Sequence, residues 1–298
     1  MPSITQINST WLEPNACARA AALYQYLKIS PSYALADKVR REGVNASQQA
    51  MLASELFAVS QKEASFASVK AGFAKTLKTY DVVGEVWNRP FDTWLIKDKG
   101  YRLFGYKEAP PKASLITSLE DGVTTHKNQV NVAAHYMQVT RVKHGNPPLH
   151  LVAVPAGIGV SKQIELLREM LSELEAQTPP FKTSKPFFSF DGKRFRLDPI
   201  QKYLTVLTLN ALAPSRPLWQ LAAIAELSKS IKFKDPWNEK ANSQNEYQRA
   251  ALTPLGYRAL KRAKNIAEHA SQGSFPSHGK VILPKYDLAE VAKRIDQQ

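Results

Sequence analysis

The sequence predicts an α+β protein that is mostly α: a helical N-terminal region, a small central β-sheet, and a basic, helix-turn-helix-like C-terminal domain carrying a β-hairpin. Three observations lead there. Capped, 3.6-periodic segments fill the first third of the chain, short β-like runs follow from about Lys112, and a proline-rich stretch precedes a strongly basic, again helical, C-terminal part. With 298 residues, 44% of them hydrophobic and 22% charged, the chain is long enough for two domains with a sizeable core.

The first helices are marked by their ends. In "SPSYALADKVRREG", Ser30 reads as an N-cap, Pro31 as the first helical residue and Gly43 as the stop; Asn45 caps the next segment, "NASQQAMLASELFAVSQK". In "SFASVKAGFAKTLKTY", Phe66, Val69, Phe73 and Leu77 recur at three and four, so one face is apolar while Lys70, Lys75 and Lys78 stay in water. "RPFDTWLIKDKGYRLFG" is aromatic-rich and reads as packing material. Cys17, the single cysteine, lies among alanines and reads as a buried structural thiol, since one cysteine allows no internal disulfide.

"ASLITSL", "NVAAHYMQVTRV" and "LHLVAVPA" read as strands of the central sheet. The last leads through "GIGVSK" into a helix on which Ile164, Leu167, Leu171 and Leu174 share a face. "TPPFKTSKP" holds three prolines in nine residues and reads as a linker over 178–186, which places domains at 1–177 and 187–298.

Beyond the linker, "FFSFDGKRFRLDPI" has Asp191-Gly192 where a two-residue hairpin turn needs positive φ. Alternation sends Phe195 with Lys193 to one face and Arg194 with Arg196 to the other. Two readings stand: a wing laid against phosphates, or a structural hairpin whose phenylalanines plug the core. Residues 199–212 and 217–227 follow as two helices joined by "APSRP", the spacing of a helix-turn-helix. A third helix, with Thr253 as cap and Pro254 in its first turn, sets Arg258, Arg262, Asn265 and His269 on one stripe, with Lys261 and Lys264 alongside. Arginine can read guanine, asparagine can read adenine, and lysine can neutralise phosphate.

Charge singles out the same region. The net charge is +14, and residues 181–298 hold 20 Lys and Arg against 10 Asp and Glu. A local excess of that size is the electrostatic footprint of a polyanion partner. The strings "RLDPIQKYLTVLTL", "LWQLAAIAEL" and "RALKRAKNIAEHASQGSFP" together resemble the C-terminal part of uncharacterised bacterial proteins carried on mobile elements, whose tails are helix-turn-helix-like. "FDTWLIKDKGYRLFG" resembles an aromatic motif recurring in them. The resemblance implies DNA association and carries no catalytic residue.

No reaction is spelled out. "GIGVSK" lacks P-loop spacing, and His126, His135, His144 and His150 near Glu120 and Asp121 form no ligand motif, so neither cofactor nor metal is expected. The N-terminus lacks a secretory pattern and no apolar run approaches the ~20 residues of a membrane helix, so a cytoplasmic protein is expected. The sequence therefore points to a non-enzymatic DNA-binding protein acting in regulation or assembly at DNA. Its site residues would be Lys193, Arg194, Arg196, Arg258, Lys261, Arg262, Lys264 and Asn265, with double-stranded DNA favoured over RNA. A nucleic-acid-processing enzyme with an unrecognised centre is one alternative. The other is an interaction subunit of a nucleoprotein complex that meets protein partners through its N-terminal helices.

Overall fold

The computed structural model describes residues 14–96, 100–105, 131, 134–140, 152, 154, 157–177, 187–188 and 196–296. Two compact units emerge, one combining Met1–Phe104 with Pro186–Gln298 and the other Gly105–Lys185.

The first unit is built of helices whose ends follow their sequence signals. α1 (Pro14–Ile29) meets α2 (Pro31–Glu42) at Ser30, whose side chain accepts a hydrogen bond from the Tyr33 N–H. Gly43 closes α2 with φ +64, a conformation that suits a residue without Cβ. α3 (Ala46–Phe57) opens with a reciprocal capping box between Asn45 and Gln48. On α4 (Ser65–Val83), Val69, Phe73 and Leu77 are buried against α2 and α3, whereas Lys70, Lys75 and Lys78 face solvent. The aromatic segment packs: α5 (Phe91–Ile96) buries Trp94 and Leu95, and the 3-10 turn Gly100–Phe104 buries Leu103.

The C-terminal half of this unit supplies α7 (Leu197–Leu212), α8 (Leu218–Ile224), α9 (Glu246–Ser271) and α10 (Leu288–Asp296). One core joins α1 to these helices, with Leu23, Tyr26 and Leu27 packed among Ile200, Leu207, Ala263, Ile266 and Ala270. Polar bonds tie the same seam. The Tyr26 hydroxyl donates to the Ile200 carbonyl at 2.7 Å, and the Ser30 hydroxyl donates to Glu268 Oε1 at 2.8 Å. Residues more than 170 positions apart thus close one hydrophobic interior. Cys17 lies in it, and burial pushes its thiol up to about 11.

In the second unit, α6 (Val160–Gln177) follows a turn in which Gly157 and Gly159 take left-handed φ. Among the described residues no helix is long and apolar enough to cross a membrane.

The expected α+β class is corrected. The described residues are mostly helical and hold no β-strand, so neither the central sheet nor the hairpin is found among them. Within the run 131–142, read as a strand, Tyr136–Thr140 form a π-helix. β-branched and aromatic residues favour a strand only where a pleated, half-buried surface awaits them, and here Met137 and Val139 are exposed. The runs 113–119 and most of 149–156 lie outside the described residues, as does the Asp191-Gly192 turn. At the ends of the supposed hairpin, Phe187 and Phe188 form a bend with Phe188 buried, and Arg196 is the N-cap of α7.

Candidate nucleic-acid interface

The basic stripe is carried by α9, which begins eight residues earlier than its sequence punctuation predicts, with Asn245 in place of Thr253 as its cap. Its start is organised by a polar knot. Asn242 and Asn245 exchange backbone-to-side-chain bonds of 3.0 and 3.1 Å, and Arg249 Nε donates to Asn245 Oδ1 at 2.7 Å. Pro254 consequently sits inside the helix, where it removes one backbone donor. Exposure offsets that loss: Pro254 and Ala250, whose carbonyl is left without its i+4 donor, both lie on the side open to water. Gly256 on the opposite side lets α8 approach closely, since a Cβ there would stand 2.8 Å from the Leu218 carbonyl oxygen.

Leu252, Gly256, Ala259, Ala263, Ile266, Ala267 and Ala270 are the inward face of α9. Arg258, Lys261 and Arg262 are left outward and exposed. Arg258 Nε donates to the Pro254 carbonyl at 3.3 Å, a bond within its own helix. Arg262 reaches sideways to α7, where its Nη1 donates to the Tyr203 hydroxyl at 2.7 Å and its guanidinium stands 5.5 Å from the ring centre. Arg196, also exposed, caps α7 with an extended backbone seven residues before Tyr203. The fold therefore leaves Arg258, Lys261 and Arg262 exposed together on α9, and Arg196 exposed at the start of α7.

Two of the expected site residues have other work. Asn265 is 8% exposed, and its amide donates to the carbonyls of His278 at 3.2 Å and Gly279 at 3.0 Å, fastening the following segment to α9. Both amide hydrogens being used, none is left for a base edge. Lys264 is half-buried with Nζ 5.0 Å from the Tyr286 ring centre, and burial lowers its pKa. Lys193 and Arg194 lie outside the described residues. The second helix of the expected helix-turn-helix is only seven residues long, and Trp219, Gln220, Leu221, Ala222 and Ala223 are all buried in it. Wedged against α7 and α9, α8 serves the core and offers no face to a groove.

The structure adds basic residues that the motif search passed over. Between α8 and α9, Lys229, Lys232, Lys234 and Lys240 are exposed while Ile231 and Phe233 pack with Trp219, Leu252 and Leu255. The alternation of "SIKFK" was the available signal. Leu255 precedes Arg258 by one turn, so this lysine segment is anchored beside the stripe. Its path is held by Gln220 Nε2 on the Glu239 carbonyl at 2.6 Å, and by Arg216, which stacks 4.3 Å from the Trp237 ring centre and donates to the Trp237 carbonyl. Two tyrosines also stand clear on α9, Tyr247 at 82% and Tyr257 at 63% exposure.

Among the described residues, no group of three or more His, Cys, Asp or Glu gathers that could hold a metal ion. The surface can attract phosphates through arginine forks and lysine point charges set on a rigid helix. Comparison with family models, with curated proteins and with solved structures finds no match.

Proposed function

We propose that the protein binds nucleic acid through its basic C-terminal helices and acts, without catalysing a reaction, in regulation or assembly at DNA. The observation that carries this reading is the exposed set Arg258, Lys261 and Arg262 on one side of α9. The neighbouring lysines at 229, 232, 234 and 240 extend the positive field, and the last 118 residues hold most of the net charge. Affinity on such a surface comes from counterion release, so it falls steeply with salt.

The test is a salt series of binding by the full chain to duplex DNA, single-stranded DNA and RNA. Each phosphate neutralised contributes about −0.9 to the log-log slope on duplex and about −0.7 on single strands. Replacing Arg258, Lys261 and Arg262 together with alanine should flatten the duplex slope by roughly 2 to 3. No binding to any of the three polymers at low salt overturns the proposal, as does a triple variant with unchanged affinity and slope.

A further inference from the structure

We infer that the α9 surface takes single-stranded nucleic acid, with bases stacked on Tyr247 and Tyr257 while Arg258 and Lys261 hold the adjoining phosphates. The inference rests on the nucleic-acid reading above and specifies the form of the ligand. Tyrosine is an aromatic that folding normally covers at least in part, yet these two rings are the most exposed of the large hydrophobic side chains apart from Val160. Neither stacks on another ring among the described residues.

Their placement is regular. Ten residues of helix separate them by ~15 Å along the axis and ~80° around it. Arg258 follows Tyr257 directly, and Lys261 stands one turn further on the same flank, so two cations continue the line of the two rings along the exposed side. A base offers its face only when it is not already stacked in a duplex, and every base has such a face. A platform of rings and cations therefore favours single strands without sequence preference.

Two of the side chains that would read a duplex groove are engaged elsewhere. Asn265 spends its amide on His278 and Gly279, and Arg262 is drawn aside to Tyr203. Arg258 and Lys261 remain as phosphate contacts, which position a strand and carry no base information.

The experiment measures dissociation constants of the full chain by fluorescence anisotropy for three 20-nucleotide probes: an oligothymidine strand, a strand of the same phosphates with abasic sites throughout, and a duplex. Wild type is compared with Tyr247→Ala/Tyr257→Ala and with Tyr247→Phe/Tyr257→Phe, each checked by thermal melt. Oligothymidine should bind more tightly than the abasic strand, by roughly 5- to 100-fold per stacked base. The alanine variant should lose that preference while keeping its salt slope, and the phenylalanine variant should retain both. Equal binding of oligothymidine and abasic strands, or an alanine variant that keeps the preference, overturns the inference; a salt-dependent affinity for all probes would then leave the phosphate reading standing. Absence of binding to every probe removes both.

Discussion

Replacing Glu268 with glutamine probes the polar contact that ties the N-terminal helices to α9. The carboxyl is fully buried. Ser30 Oγ at 2.8 Å and the Tyr286 hydroxyl at 3.1 Å both donate to Oε1, and Ser32 stands against the same carboxyl. Arg294, itself largely desolvated, lies within electrostatic reach of the carboxyl. Burial raises the Glu268 pKa above the ordinary carboxyl range, outweighing the opposing hydrogen bonds from Ser32, Ser30 and Tyr286, and so favours the neutral acid. A carboxyl with a raised folded pKa contributes its stability fully below the unfolded value and loses it as pH rises through the folded one. Glu268→Gln keeps the acceptor oxygen and does not titrate. Its melting temperature should therefore match wild type near pH 4.5 and exceed it increasingly toward pH 8. Glu268→Ala strands two buried donors at about 1 to 3 kcal/mol each. At roughly 2 to 4 °C per kcal/mol for a unit of this size, its Tm should fall by ~4 to 24 °C. Melts followed by circular dichroism across pH 4.5–8.5 decide the matter. A glutamine variant that melts below wild type at pH 8, or a gap that ignores pH, would refute the reasoning.

Four further outcomes can be checked. Asn265→Ala should cost about 1 to 2 kcal/mol in a denaturant melt by freeing the His278 and Gly279 carbonyls, yet leave nucleic-acid affinity per folded molecule unchanged. Gly256→Ala should destabilise by roughly 1 to 3 kcal/mol, since the added methyl meets the Leu218 backbone and α8 must shift. Cys17, buried and with its thiol raised to about 11, should resist alkylation at pH 8 in the native protein and react promptly in denaturant. A chain ended at Gln177 should fail to give a cooperative melt, because α1 would lose Ile200, Leu207, Ala263 and Ile266 from its core.

Local physics was legible in the sequence, and long-range packing was not. Ser30, Pro31, Gly43 and Asn45 mark helix ends by chemistry confined to one turn, and the 3.6-residue spacing of Val69, Phe73 and Leu77 names its own buried face. The charge of the last 118 residues is likewise a matter of counting. Pro254 misled because a proline inside a helix costs one donor, and only the surroundings show that the Ala250 carbonyl it deprives is open to solvent. "NVAAHYMQVTRV" misled because strand preference needs a neighbouring surface that local sequence cannot supply. The stripe on α9 was visible as a pattern, yet the fold alone decided which members face outward. The segment around His278 and Gly279 folds back over the last turns of the helix, turning Asn265 from reader to fastener, while Arg258 and Lys261, earlier on the helix, stay exposed. That α1 and α9 share one core depends on contacts across more than 170 residues. Such contacts are chosen by the shape and burial of both partners together, and neither segment carries that information by itself.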